Sequence, residues 1–332
     1  MSLPLSKPNN FTASAIGALF KWATCLWVGL LTLPGCAGLG PQQALLDQWP
    51  DRTHLADVPF HEQADLHCGP ASLAMTLNWS GVDVGPDELA AQVYTPGRQG
   101  SLQSELITAA RRHGRLAYPI HGQKCLFEAL VSGQPVIVLQ NLGLTWMPRW
   151  HYAVVVGYDL TDSKMILHTG KIADRRVGLK TFGRTWQRAR QWGLLVLPPG
   201  GIPVCAQEDP YLQAALGLQQ AGHLTSAQTA FQAATRQWPL STAAHMGLGN
   251  ILYAGGEPDA ALDAFRRVTQ MDPDNADAFN NLAHILADKG SLPAAEAAAR
   301  RAVQLGGPHQ AIYRQTLAEI LRRTGGASRS DP

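Results

Sequence analysis

Gln63-Ala64-Asp65-Leu66-His67-Cys68-Gly69-Pro70-Ala71-Ser72, running into the apolar Leu73 to Trp79, decides how this chain is read. Gly69 lets the backbone approach a neighbour closely. Pro70 suits a first helical turn, where its missing N–H has no partner to lose, and most of Ala71 to Leu77 favour helix. The stretch therefore predicts Cys68 at a helix N-terminus. There the unpaired amides and the positive end of the helix dipole lower a thiol pKa and favour the nucleophilic thiolate. Gln63 brings a side-chain amide donor toward the thiol, suited to an oxyanion on an attacked carbonyl. Taken alone, the stretch also reads as a buried structural cysteine.

Working outward, the sequence after Cys68 divides into two kinds of segment. Gly85-Pro86 opens a short helix with Asp87 and Glu88 in its first turn, and Ser101 is expected to cap a helix reaching about His113, ended by Gly114. Beyond a strand near Leu116 to Ile120 and a helix over Cys125 to Val131, the character changes. Pro135 to Gln140, His151 to Tyr158, Lys164 to His168, Val177 to Thr181 and Trp192 to Leu197 read as strands of a mostly antiparallel sheet. His151 opens one of them, after a loop holding Trp146, Arg149 and Trp150. An imidazole there is placed to take a thiol proton across a cleft between a helical half and a sheet half.

Val58-Pro59-Phe60, Gln63 to Ala71 and His151-Tyr152-Ala153-Val154-Val155-Val156-Gly157-Tyr158-Asp159 together resemble the C39 and C39-like cysteine peptidases. These are papain-like enzymes known for cleaving after double glycine. The resemblance covers about Val58 to Pro198. It implies an α+β papain-like domain with Cys68 as nucleophile, His151 as base and then acid, and Gln63 as oxyanion donor. The family's fourth residue, an Asp that orients the imidazole, has no counterpart: Thr169 stands at that position, with His168 beside it. A threonine hydroxyl can hydrogen-bond the ring but supplies no charge to stabilise imidazolium. A weakly active or purely binding domain is thus one alternative. A cell-wall amidase or acyl transferase is another, because such a site does not fix the acyl acceptor.

With 332 residues, 45% of them apolar and 16% charged, the chain has room for two globular domains. Lys7 and Lys21 are the only charged residues before Cys36. Without them 25 basic side chains balance 25 acidic ones, which argues against nucleic-acid binding. Trp22 to Leu33 is a short apolar run behind Lys21, as in a secretory signal, and Leu33-Pro34-Gly35-Cys36 resembles a bacterial lipobox. The resemblance implies a signal peptide over 1–35 and lipidation of Cys36. It also implies a tether over 36–57 and, with Ala37 rather than Asp after the cysteine, anchorage at the periplasmic face of the outer membrane. Cys68, Cys125 and Cys205 remain for an oxidising compartment, an odd number, and Cys125 with Cys205 is one possible pairing. No metal-ligand spacing and no phosphate-binding loop occurs, so neither metal nor cofactor is expected.

Pro198-Pro199-Gly200-Gly201 begins a linker over 199–207, read as a flexible hinge. Past it the sequence repeats. Gly222, Gly256 and Gly290 recur every 34 residues, as do Ala227, Ala261 and Ala295, with Phe231 and Phe265 four residues on and Pro239 and Pro273 closing their units. That is the tetratricopeptide period. Three units span 208–309, a capping helix follows to Arg323, and 324–332 reads as a disordered tail. The sequence thus predicts a membrane-anchored cysteine peptidase for a peptide or protein substrate. A repeat solenoid beside it would recruit a protein partner.

Overall fold

A computed structural model describes residues 48–63 and 66–327. The expected signal segment, the expected lipobox with Cys36, most of the expected tether and the last five residues of the chain lie outside the described residues. The sheet contains β1 (Arg52–His54), β2 (Leu116–His121), β3 (Val136–Asn141), β4 (Trp150–Asp159), β5 (Lys164–Thr169), β6 (Ile172–Gly178) and β7 (Trp192–Leu197). Every pairing is antiparallel. The order is β2-β7-β3-β4-β5-β6, with β1 laid against the far end of β4. Four helices belong to the same half of the chain: α1 (Cys68–Trp79), α2 (Pro86–Val93), α3 (Gln103–Arg112) and α4 (Gln123–Val131). α5 (Leu179–Gln187) joins β6 to β7.

The alternation along β4 explains the layering. Tyr152, Val154 and Val156 face a core with Leu73, Met75 and Leu77 of α1, Leu89 of α2 and Leu106 of α3. Ala153 and Val155 face a second core, with Phe127 of α4 and Trp186 of α5. α1 has no polar face over Gly69 to Leu77, all of it buried, as expected of a helix enclosed by sheet on one side and helices on the other. The helices that include the Cys68 helix thus pack on one face of the antiparallel sheet, and α4 and α5 cover the other.

The repeat region forms three helix pairs and a cap: α6 (Glu208–Gln220) with α7 (Leu224–Gln237), α8 (Thr242–Ala254) with α9 (Pro258–Met271), α10 (Ala276–Asp288) with α11 (Leu292–Leu305), then α12 (Gln310–Ala327). Gly222, Gly256 and Gly290 adopt φ of 84°, 80° and 74°, the left-handed conformation that ends the first helix of each pair, which explains their spacing. The side chains of Ser241 and Asn275 cap α8 and α10 by accepting from the amides of Ala244 and Ala278. The cap outlasts its predicted end, with Thr324 to Ala327 continuing the helix.

The linker is not a free hinge. Cys205 is disulfide-bonded to Cys125 of α4, with Cα atoms 5.4 Å apart, and the amide of Gln207 donates to the Tyr118 hydroxyl of β2 at 3.1 Å. Tyr211, Leu212 and Leu218 of α6 join the core that holds Leu116 and Tyr118 of β2 and Leu195 of β7. The first repeat therefore covers part of the sheet's second face. Apolar burial there outweighs the flexibility that Pro and Gly supply.

Candidate active site

Cys68 is the first residue of α1 and the one free cysteine among the described residues. His67 in the N-cap position makes no side-chain cap, so the first-turn amides stay open to other acceptors. The backbone amides of Tyr152, Gly69 and Cys68 itself lie near the Cys68 sulfur and favour its charged form. Tyr152 belongs to β4, one residue beyond His151. Burial nevertheless pushes the Cys68 pKa up, and the three amides offset this only in part. Desolvation here opposes the helix terminus and favours the neutral thiol.

His151 Nε2 lies 2.6 Å from Thr169 Oγ1. Thr169, at the end of β5, thus supplies the hydroxyl in contact with the imidazole. In the tautomer in which Nε2 donates to that hydroxyl, Nδ1 is the basic nitrogen. Burial lowers the His151 pKa to about 4, aided by the positive charge of Arg175, so the imidazole is neutral near pH 7.

His168 is not brought to His151. Its Nε2 donates to the carbonyl of Val58 at 3.1 Å, its Nδ1 accepts from the amide of Asp174 at 3.2 Å, and Phe60 packs edge-on against its ring. Neighbouring residues of a strand point to opposite faces, so only one of the two could reach the imidazole.

Gln63 is buried and joins four segments. Its Oε1 accepts from the amide of Gly170 at 2.7 Å, and Nε2 donates to Ser72 Oγ and to the Tyr152 carbonyl at 3.2 Å each. Its own amide donates to the Gly170 carbonyl at 2.9 Å. Gln63 thus locks the turn beside Thr169 to α1 and β4, a positioning role that sequence reasoning did not assign. Ser101 does not cap α3, whose N-cap is Leu102. Its side chain lies where a Cβ on Gly69 would be, so Gly69 makes room for it, and its Oγ is buried without a partner. Its carbonyl accepts from the Tyr152 hydroxyl at 3.3 Å. Tyr152 and Ser101 were missed because their contacts join segments remote in sequence.

Cys68, His151 and Gln63 line one cleft of about 1230 Å³, together with Ser101, Tyr152 and Gly170. A thiol, a neutral imidazole held by a hydroxyl, and backbone and side-chain amides thus line one cleft on an α+β scaffold, the kinds of group that Cys-His nucleophilic chemistry uses.

Comparison with known proteins finds two family matches, one in each part of the chain. Residues 55–193 match the model of the Peptidase C39 like family, and residues 212–276 and 253–309 match that of the tetratricopeptide repeat. No curated protein matches the chain. Among solved structures, a Bacillus anthracis protein described as a C39-like peptidase is 19% identical, with 45% of this chain and 98% of that one covered and a TM-score of 0.38. The Yersinia enterocolitica type III secretion chaperone SycD, in complex with a peptide of the translocator YopD, is 23% identical, with 34% and 92% covered and a TM-score of 0.33. The chain thus combines a C39-like domain with tetratricopeptide repeats.

Proposed function

We propose that the protein is a cysteine peptidase whose Cys68 and His151 hydrolyse peptide bonds. The observation that carries this reading is the 2.6 Å contact of His151 Nε2 with Thr169 Oγ1 in the cleft that Cys68 lines, which directs Nδ1 to proton transfer. In the mechanism, Nδ1 takes the thiol proton as sulfur attacks the peptide carbonyl. The oxyanion is held by the Cys68 amide and by Gln63 Nε2, whose two 3.2 Å bonds are long enough to yield to a charged acceptor. His151 then protonates the leaving amine, and water, deprotonated by the same imidazole, releases the acyl group. Because the resting pair is uncharged, proton transfer accompanies attack.

The repeat region would hold a protein substrate or partner on its concave surface, as stacked repeats do. Lipidation of Cys36 would attach the protein to the membrane at the periplasmic face of the outer membrane; a Cys36→Ser variant should then lose its acyl mass and leave the membrane fraction. A binding-only reading is favoured by two observations, the uncharged Thr169 and the raised Cys68 pKa. A quenched-fluorescence peptide library separates the readings: cleavage by the wild type and none by His151→Gln supports hydrolysis, and binding without cleavage supports the other.

A further inference from the structure

The walls of the cleft carry charge that the Cys-His mechanism does not use. Arg98 on the short 3-10 turn Pro96–Arg98 lies on the helical side, and Arg149, Arg188 and Arg190 lie on the sheet side. Among the described lining residues none is Asp or Glu, and none of the four arginines has a carboxylate within ion-pair distance among the described residues. Arg188 is fixed by donating to the carbonyls of Asn141 and Gly143, at 3.3 and 2.8 Å. Arg190 and Gln191 both hold left-handed backbone, φ 56° and 51°, on the turn that sets Arg190 at the wall. Arg175 adds to the field, since its charge already depresses the His151 pKa.

Like charges gathered around a concavity repel one another, and the low-dielectric walls focus their field on whatever enters. An anionic guest relieves that repulsion. Leu66, Leu102 and Trp150, exposed by 49%, 41% and 55%, line the same cleft, so apolar contacts alternate with the guanidinium groups. At about 1230 Å³ it is larger than the usual small-molecule pocket of roughly 300–1,000 Å³ and suits an extended segment. Resting on the peptidase reading above, we infer that the cleft selects acidic peptide segments, with Asp or Glu close to the scissile bond and apolar residues between them.

The test uses the full chain in detergent and three quenched peptides identical except for Glu, Gln or Lys at the positions flanking the cleavage site. The Glu peptide should show kcat/KM about tenfold or more above its Gln twin at low salt. That ratio should collapse toward about one in about 0.5 M NaCl, and in Arg98→Glu/Arg190→Glu, whose fold is checked by thermal melting. Equal or faster cleavage of the Gln or Lys peptide overturns the inference and leaves the peptidase reading intact. If no peptide is cleaved, fluorescence anisotropy with Cys68→Ala decides. Binding ranked Glu over Gln over Lys keeps the inference while hydrolysis fails. Binding without charge ranking, or confined to anionic phospholipid vesicles, overturns it.

Discussion

At the residue scale the proposed chemistry starts from two neutral groups. With His151 at about pKa 4 and Cys68 raised, alkylation of Cys68 by iodoacetamide should still accelerate above about pH 9; a plateau by about pH 7 would mean a preformed ion pair. Thr169→Asp would place a carboxylate 18 residues on from His151 at the orienting contact and favour imidazolium. The acid limb of kcat/KM should then move up by about one pH unit or more, whereas Thr169→Val should lower kcat by freeing the ring. The linkage sign for stability follows from the depressed His151 pKa. Below the ordinary histidine value near 6.5 the unfolded chain binds a proton that the folded chain refuses until about pH 4, so stability falls across that window. His151→Gln should make that fall shallower in denaturant titrations. Cys68, His151, Gln63 and Thr169 were legible because a helix start and two strand ends fix where such residues sit. The thiol pKa was not, because desolvation comes from segments remote in sequence. Nor was the exclusion of His168, which depends on strand facing and on the irregular pairing between Leu167 and Thr169.

At the element scale, α1 and the repeat helices illustrate what a pattern can and cannot reveal. α1 was visible from its Gly-Pro start and apolar run, yet the same run hides which neighbour covers each side. Gly69 is the position where that matters, because the Ser101 side chain occupies the space of its Cβ. Gly69→Ala should displace Ser101 and shift the start of α1, reducing peptide turnover by more than it reduces the melting temperature would suggest. The 34-residue period, in contrast, set every helix pair, because left-handed glycines and small-residue contacts recur at fixed places. Phe265 packs its ring against Gly249, so Phe265→Ala should cost about 3–5 kcal/mol in chemical unfolding of the solenoid. An unchanged unfolding midpoint would contradict that packing.

At the scale of the whole molecule, the two recognisable segments share a core. Sequence similarity separates them near 193–212, and the Pro-Gly linker invites the same division, but Tyr211, fully buried, belongs with Leu116 and Tyr118. Burying a side chain of that kind is worth about 1.5–3 kcal/mol, and the Cys125–Cys205 disulfide, spanning 80 residues, adds about 2–4 kcal/mol. A chain ending at Pro198 should therefore melt lower and aggregate more readily than one ending at Ser241, which keeps α6 and α7; equal melting would show that the first repeat is dispensable. The central claim, a Cys-His nucleophilic site, is tested most directly by peptide hydrolysis of wild type against Cys68→Ala, with an electrophilic thiol probe read by mass spectrometry in parallel. The account predicts turnover and a single labelled thiol at Cys68 in the wild type, with both lost in Cys68→Ala while its melting curve is retained. Undiminished hydrolysis by a folded Cys68→Ala protein would contradict it.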